Sequence, residues 1–185
     1  MIWIISGPSS AGKSTFIEHA LCREITHLPS DAAVIIPGRE ANVLSRETND
    51  CFFHYNILRP ASFVRRRDKG TGESGMVGTR SDVGRFVDDP KWLELVAMEA
   101  PKKAIVLVTD RATIVQRVKE RVIREKQSAH AQERPYNPAR WLELLDKIDV
   151  DELYQAWCAE LQRHDIPQVL IDSTDQNYRA LKHIS

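Results

Sequence analysis

The feature that most constrains the fold is a glycine-containing segment near the start of the chain. Residues 7–14 read Gly-Pro-Ser-Ser-Ala-Gly-Lys-Ser, which fits the pattern G-x-x-x-x-G-K-[ST]. This glycine loop follows an apolar run at residues 2–5 and leads into a helical pattern at residues 13–22. An unbroken apolar run of this length is typical of a central parallel strand that is covered on both faces. The segment therefore predicts a strand, a tight loop and a helix in succession.

The pattern of the glycine loop points to phosphate chemistry. Two glycines let the backbone curl without Cβ clashes, and the amides at the start of the following helix favour anions. Lys13 is expected to reach the β- and γ-phosphates of a nucleoside triphosphate, and Ser14 to offer its hydroxyl to Mg²⁺. The candidate phosphate-binding residues are Gly7, Pro8, Ser9, Ser10, Ala11, Gly12, Lys13, Ser14 and Thr15.

The rest of the chain alternates strand and helix patterns. Further strand candidates lie at residues 32–36, 51–55, 104–108 and 169–171. The clearest helical patterns are residues 112–127 and residues 138–163, the latter broken near Asp149. Such alternation predicts an α/β fold, a three-layer α/β/α sandwich with a mainly parallel sheet of about five strands. A length of 185 residues favours one domain.

Composition narrows the partners and the compartment. Lys plus Arg and Asp plus Glu both total 26, so no global field draws the chain to nucleic acid or to a membrane. The three cysteines are far apart and contain no C-x-x-C pair, which disfavours a disulfide framework or a zinc site. No apolar run approaches the roughly 18 residues of a membrane helix. We expect a cytoplasmic protein without membrane contact; its oligomeric state is left open.

Two segments interrupt the strand and helix pattern. Residues 69–84 contain five glycines and predict a mobile loop, because long loops in compact domains are usually functional or disordered. A basic patch surrounds it, which could bind an anionic substrate or could be a solvated helix end. Its members are Arg65, Arg66, Arg67, Lys69 and Arg80. The second segment, residues 128–138, contains two prolines and lies between two helical patterns.

A family resemblance follows from the loop and from the order of the elements. Residues 6–15 are similar to the loop of guanylate kinase, and residues 9–14 also resemble that of chloramphenicol phosphotransferase. The chain resembles P-loop kinases of nucleosides, nucleotides and small molecules. The resemblance implies a P-loop NTPase fold with a Walker A motif, ATP and Mg²⁺ as cofactors, and phosphotransfer to a small molecule or nucleotide. It also implies a last strand followed by a C-terminal helix.

The resemblance also implies a lid-like segment at about 117–138, whose arginines are candidates to stabilise the transition state. In the kinases that the chain resembles, an Arg-bearing lid follows the fourth strand and its helix; here it would hold Arg117, Arg121, Arg124 and Arg134. Arg121 and Arg124 are the favoured sources of the positive charge that phosphoryl transfer requires. The alternative is a solvated helix face in which Glu120 and Glu125 are the partners of these arginines.

The acceptor side is less defined by the sequence. Ligands of parallel sheets sit beyond the carboxyl ends of the strands, which nominates residues after each predicted strand. Glu40 is the first choice for a catalytic base and Arg39 for a substrate clamp, although a solvated loop pair is an alternative. His54 is a second candidate base, or a structural histidine. The remaining candidates are Asn56, Arg59 and Asp110.

The metal site departs from the family pattern. The kinases usually have an Asp at the end of a central strand that contacts Mg²⁺ through water. Here His54 and Asn56 lie at that place, and Asp50 comes too early in the chain. Either Ser14 and water suffice for the ion, or another carboxylate such as Asp110 contributes.

Three other functions fit a glycine loop of this type. A regulatory NTPase is disfavoured because the chain has no N-K-x-D guanine-reading motif. A sulfotransferase-like protein is disfavoured because the intact Gly12-Lys13-Ser14 sequence suits a triphosphate. A nucleic-acid end kinase is disfavoured by the zero net charge and the lack of a long basic stripe.

Overall fold

A computed structural model describes residues 1–25, 27–35, 50–58, 64–67, 74–77, 86, 89–126, 138–175 and 177–184. The strands are β1 (Ile2–Gly7), β2 (Ala33–Ile35), β3 (Cys51–Asn56), β4 (Val64–Arg67), β5 (Ser74–Val77), β6 (Lys102–Val108), β7 (Gln168–Asp172) and β8 (Arg179–Ile184). The helices are α1 (Lys13–Leu21), α2 (Pro90–Ala97), α3 (Arg111–Lys126), α4 (Pro138–Lys147) and α5 (Val150–Arg163).

The main sheet has six strands in the order β2-β3-β1-β6-β7-β8. Every neighbouring pair is parallel except β7 and β8, which are antiparallel. The predicted α/β class and mainly parallel sheet are confirmed, and the arrangement is consistent with three layers. The break near Asp149 is confirmed too, because its carboxylate caps α5 by accepting hydrogen bonds from the amides of Asp151 and Glu152.

Both faces of the sheet are covered by helices. On one face α1 buries Phe16, Ile17 and Ala20 against sheet residues such as Phe52 and Leu107. On the opposite face α2, α3, α4 and α5 form a larger cluster with the sheet. Each face therefore has its own apolar core, which explains why the central strands are nearly continuous hydrophobic runs. The centre of the larger cluster contains Trp92, Ile114, Val118, Leu145, Leu153, Trp157 and Leu161.

The carboxyl ends of β1 and β6 lie next to each other in the sheet. β1 leads through α1 to β2 on one side of the sheet, whereas β6 leads through α3, α4 and α5 to β7 on the other side. Adjacent strands whose connections leave in opposite directions form a topological switch point, where open α/β sheets bind their ligands. The glycine loop leaves β1 at this point, and Thr109 leaves β6 beside it.

The end of the chain differs from the expected order of elements. Instead of a helix, the residues after β7 form the antiparallel edge strand β8, so the sheet has six strands where about five were expected. The sequence of β8 is Arg-Ala-Leu-Lys-His-Ile, in which charged and polar residues interrupt the apolar ones. Edge strands often carry charged residues that discourage further pairing, and they then lack a continuous apolar run. A search for apolar runs misses them for this reason.

The segment expected to be a mobile glycine-rich loop contains a strand. β4 and β5 form an antiparallel hairpin in which Val64 pairs with Val77 and Arg67 with Ser74. Arg65, Arg66 and Arg67 therefore lie in a strand, and not at a helix end. The hairpin escapes prediction because β5 has the sequence Ser-Gly-Met-Val, in which glycine weakens the strand signal. Residues 69–73 and 78–84 of the predicted loop lie outside the described residues.

The lid-like segment 117–138 is described only at its two ends. Residues 117–126 continue α3, and residue 138 begins α4. The intervening residues, Arg134 among them, lie outside the described part of the chain. Among the described helices, none is long and apolar enough to cross a membrane.

Candidate functional site

The glycine loop adopts the backbone conformation that its two glycines suggest. Gly7 has a φ of 153° and Gly12 a φ of 88°, and both values favour glycine. At Gly7 an added Cβ would lie 2.9 Å from the carbonyl oxygen of Leu107, a distance too short for an unshifted backbone. At Gly12 an added Cβ would meet Arg117 only at an ordinary van der Waals distance of 3.8 Å, so the left-handed backbone is what favours glycine. Each glycine of the pattern thus has its own geometric reason.

The start of α1 carries partial positive charge and lacks a side-chain cap in the part of the chain that the structure describes. Gly12 is the N-cap residue, and no side chain of the described residues caps the helix. The first amides of a helix have no partner within it, and the helix dipole places partial positive charge there. The Ser10 hydroxyl is buried beside them and has no hydrogen-bond partner in the described structure. Backbone amides at a helix start, together with the Ser10 hydroxyl that has no partner among the described residues, suit an anionic ligand.

The Lys13 ammonium is folded back over the glycine loop. Its side chain is 4% exposed, and Nζ donates to the carbonyl oxygens of Gly7 at 2.9 Å and Pro8 at 2.6 Å. A buried ammonium needs polar partners, and these two carbonyls come from the loop itself. The residue that the sequence nominated for phosphate binding is therefore held at the loop and away from solvent.

Arg117 brings a second cation to the same place. From α3 its guanidinium donates to the carbonyl oxygen of Ser10 at 3.4 Å, of Ser173 at 2.6 Å and of Thr174 at 2.9 Å. One of its nitrogens lies 3.8 Å from the position that a Cβ on Gly12 would occupy. In the part of the chain that the structure describes, the partners of Arg117 are these three backbone carbonyls, so its charge adds to the positive field of the site.

The structure distinguishes between the arginines of α3. Arg117 contacts the glycine loop, whereas Arg121 is exposed and lies one turn further along the helix, about 6 Å along its axis. Arg124 belongs to the same helix, but its side chain lies outside what the structure describes. The sequence included Arg117 in the group but favoured the other two, because helical spacing alone does not reveal which turn meets the loop.

A cluster of hydroxyl residues, Thr109, Tyr154 and Ser173, contacts the glycine loop at Ala11. These residues were not among the candidates that the sequence suggested. The Ser173 side chain is 1% exposed, and its Oγ lies 2.9 Å from the Ala11 carbonyl oxygen and 2.5 Å from Thr109 Oγ1. Tyr154 accepts a hydrogen bond from the Thr109 amide and donates one to the Leu107 carbonyl. Burial raises the pKa of Tyr154, so its hydroxyl stays protonated as a donor. The sequence pattern that could have identified this cluster is a hydroxyl residue directly after a strand, as Thr109 is after β6 and Ser173 is after β7.

The acceptor-side candidates have structural partners where the structure describes them. Asp110 starts α3, because its carboxylate accepts from the Thr113 amide at 2.8 Å and the Thr113 hydroxyl at 2.6 Å. The Asn56 side chain accepts from the Leu58 amide at 3.1 Å and so closes a turn after β3. His54 is half-buried on β3. Arg39, Glu40 and Arg59 lie outside the described residues.

The metal candidate is Ser14, whose side chain is exposed on the first turn of α1. Within the described ranges, no group of three or more His, Cys, Asp or Glu residues has the arrangement of a metal site. A hydroxyl supplies a hard oxygen ligand of the kind Mg²⁺ accepts, and this ion commonly keeps several waters and takes further ligands from substrate phosphates. Ser14 therefore suits a Mg²⁺ site in which the protein supplies one ligand and water and substrate phosphates supply the others.

Asp110→Ala is expected to destabilise the fold by about 1 kcal/mol, because α3 loses its N-cap. The hydrogen bonds from Thr113 lower the pKa of the Asp110 carboxyl below its ordinary value. The stabilisation is therefore present above the ordinary carboxyl pKa and is lost as the pH falls through the lowered one. Urea unfolding at neutral and acidic pH measures this, with exposed Asp31→Ala as control. Equal losses in both variants at neutral pH would contradict the capping role.

Comparison with known proteins adds no identification to this geometry. The chain matches no protein-family model, and no curated protein matches it.

Proposed function

We propose that the chain is an ATP- and Mg²⁺-dependent phosphotransferase with a P-loop NTPase fold, acting on a small molecule or a nucleotide. The observation that carries the proposal is the position of the G-x-x-x-x-G-K-S loop. It joins β1 to α1 at the switch point of a mainly parallel sheet, which is the structural context that this pattern requires. Motif, backbone conformation and topology agree on one ligand chemistry.

The triphosphate is proposed to lie against the start of α1. There the first amides of the helix donate to phosphate oxygens, and the Ser10 hydroxyl gains a partner. Lys13 exchanges the carbonyls of Gly7 and Pro8 for the β- and γ-phosphates, which a flexible four-carbon side chain permits. Ser14 would offer its hydroxyl to Mg²⁺, and the ion would supply positive charge to the phosphates.

The proposed role of the arginines of α3 is to neutralise the negative charge of the transferred phosphoryl group. Phosphoryl transfer has a loose transition state, so catalysis depends mainly on positioning and on positive charge around the transferred group. Arg117 supplies such charge from its place beside Gly12 and Ser10. Arg121 and Arg124, further along α3, are proposed to add their charge once the nucleotide is bound.

The acceptor hydroxyl is proposed to approach along the carboxyl edge of the sheet. Glu40, which follows β2 in the chain, is the proposed base, and Arg39 is the proposed clamp for an anionic group of the acceptor. A carboxylate that orients or deprotonates the attacking hydroxyl contributes through general base catalysis. Asp110 is the weaker candidate, because its two oxygens already accept hydrogen bonds from Thr113.

ADP release from ATP tests this function. The protein is assayed alone and with separate pools of nucleosides, nucleotides, sugars and aminoglycoside-like alcohols, and Lys13→Ala is run in parallel to expose contaminating activity. Stimulation by one pool in the wild type only is the expected result. Steady hydrolysis that no pool changes, and that only a protein partner alters, would instead favour a regulatory NTPase.

A further inference from the structure

The hydroxyl of Ser173 can donate only one hydrogen bond, and its surroundings determine which one. Two carbonyl oxygens lie within reach, those of Ala11 at 2.9 Å and Val108 at 3.2 Å. The Val108 oxygen already accepts from the Ser173 amide at 2.9 Å. The hydroxyl proton therefore belongs to the shorter contact, and Thr109 is left to donate to Ser173 Oγ. The result is a directed relay from Thr109 through Ser173 to Ala11.

This relay fixes the orientation of one peptide plane in the glycine loop. In a trans peptide the C=O of one residue and the N–H of the next point in opposite directions. A carbonyl of Ala11 held toward Ser173 therefore turns the Gly12 amide to the other side of the loop. Gly12 has a left-handed backbone and no Cβ, so this plane would turn more easily than others without an anchor.

Ser173, which anchors this peptide plane, is itself buried and held by hydrogen bonds. Ser173 is 1% exposed, and its own carbonyl accepts from the Arg117 guanidinium at 2.6 Å. The same guanidinium holds the Thr174 carbonyl at 2.9 Å, so the turn after β7 is fixed on two sides. Because the turn holds the Ser173 hydroxyl in place, the hydroxyl restrains the Ala11 carbonyl of the glycine loop, to which it donates.

We propose that Ser173 is a positioning residue, which aims the Gly12 amide at the bound phosphate by holding the Ala11 carbonyl. The proposal rests on the proposed function and adds that the turn after β7 prepares the loop before the nucleotide arrives. Loss of this hydroxyl weakens nucleotide binding, since the loop must then be ordered at the moment of binding.

The test compares MgATP dissociation constants for the wild type, Ser173→Ala and Ser173→Thr. Ser173→Ala is expected to raise the constant about tenfold, and the threonine variant, which keeps the hydroxyl, is expected to stay within about threefold. A second readout is the Gly12 amide signal in ¹H–¹⁵N NMR spectra. We expect a large shift on MgATP addition in the wild type and a smaller one in Ser173→Ala.

Tyr55→Phe controls for general destabilisation. It removes another buried hydroxyl, one that donates to Asp89 at 2.7 Å and, among the described residues, forms no hydrogen bond with the glycine loop. Its unfolding midpoint should fall while its MgATP affinity stays within about twofold. If Ser173→Ala does not fold, Thr109→Val replaces it, because it removes the donor that feeds the relay; we expect an increase of about threefold.

The outcomes separate the two proposals. A wild type that does not bind MgATP overturns both of them. A wild type that binds, with Lys13→Ala inactive but Ser173→Ala binding as tightly as the wild type, overturns the positioning role alone. If Thr109→Val is used in place of Ser173→Ala, wild-type affinity for MgATP in that variant would also contradict the positioning role.

Discussion

Lys13→Ala is expected to weaken MgATP binding by about 100-fold or more while the fold stays intact. The reason is that the ammonium is the cation of the glycine loop, 4% exposed and already within the curve of its backbone. Inside a water-excluded site its interaction with the phosphates is much stronger than in bulk water. Isothermal titration calorimetry measures the affinity, and circular dichroism checks the fold.

The matched control is Lys91→Ala. Lys91 is an exposed lysine on α2, so its loss changes the net charge of the protein by the same amount without touching the loop. Its affinity for MgATP should equal that of the wild type. Wild-type affinity in Lys13→Ala would show that the nucleotide binds elsewhere, and equal losses in both variants would point to a general effect of charge.

Trp157→Ala is expected to lower the free energy of unfolding by about 3–5 kcal/mol, the usual cost of removing a large buried aromatic side chain. Trp157 is fully buried at the centre of the larger core. Its ring stacks on Tyr55 with centroids 4.9 Å apart, and it meets Trp92 edge-on at 4.7 Å. Its indole N–H donates to the Ser6 hydroxyl at 2.9 Å, which ties this core to β1 just before the glycine loop.

Thermal unfolding reports the loss as a midpoint roughly 10 °C lower in a protein of this size. Leu93→Ala is the control, since Leu93 is 50% exposed on α2 and its truncation should change stability by less than about 0.5 kcal/mol. Similar midpoints for Trp157→Ala and Leu93→Ala would show that the core is not centred on Trp157.

Local patterns predicted the elements that carry the site. The apolar run of β1, the two glycines and the start of α1 are adjacent in the chain, so their conformations follow from neighbouring residues. The five apolar runs all became strands of one sheet, because a strand buried on both faces must be apolar throughout. The helix break at Asp149 follows from local capping chemistry in the same way.

Long-range contacts set the limit of that prediction. Ser173 and Ala11 are 162 positions apart, and Arg117 and Ser10 are 107 apart, so no window of sequence relates them. Which arginine of α3 contacts the glycine loop, Arg117 or Arg121, depends on how the helix packs on the sheet. The helical periodicity of the sequence does not reveal that packing. β8 and the hairpin of β4 and β5 owe their pairing to a partner strand rather than to an apolar run of their own.

The central claim is that the glycine loop binds the phosphates of a nucleoside triphosphate. The most direct test is calorimetric titration with adenosine, AMP, ADP and ATP in the presence of Mg²⁺. Affinity is expected to rise along this series, with the largest gains when the β- and γ-phosphates are added, because the α1 amides and Lys13 act on those groups. Adenosine that binds as tightly as ATP, or no binding of ATP at all, would contradict it.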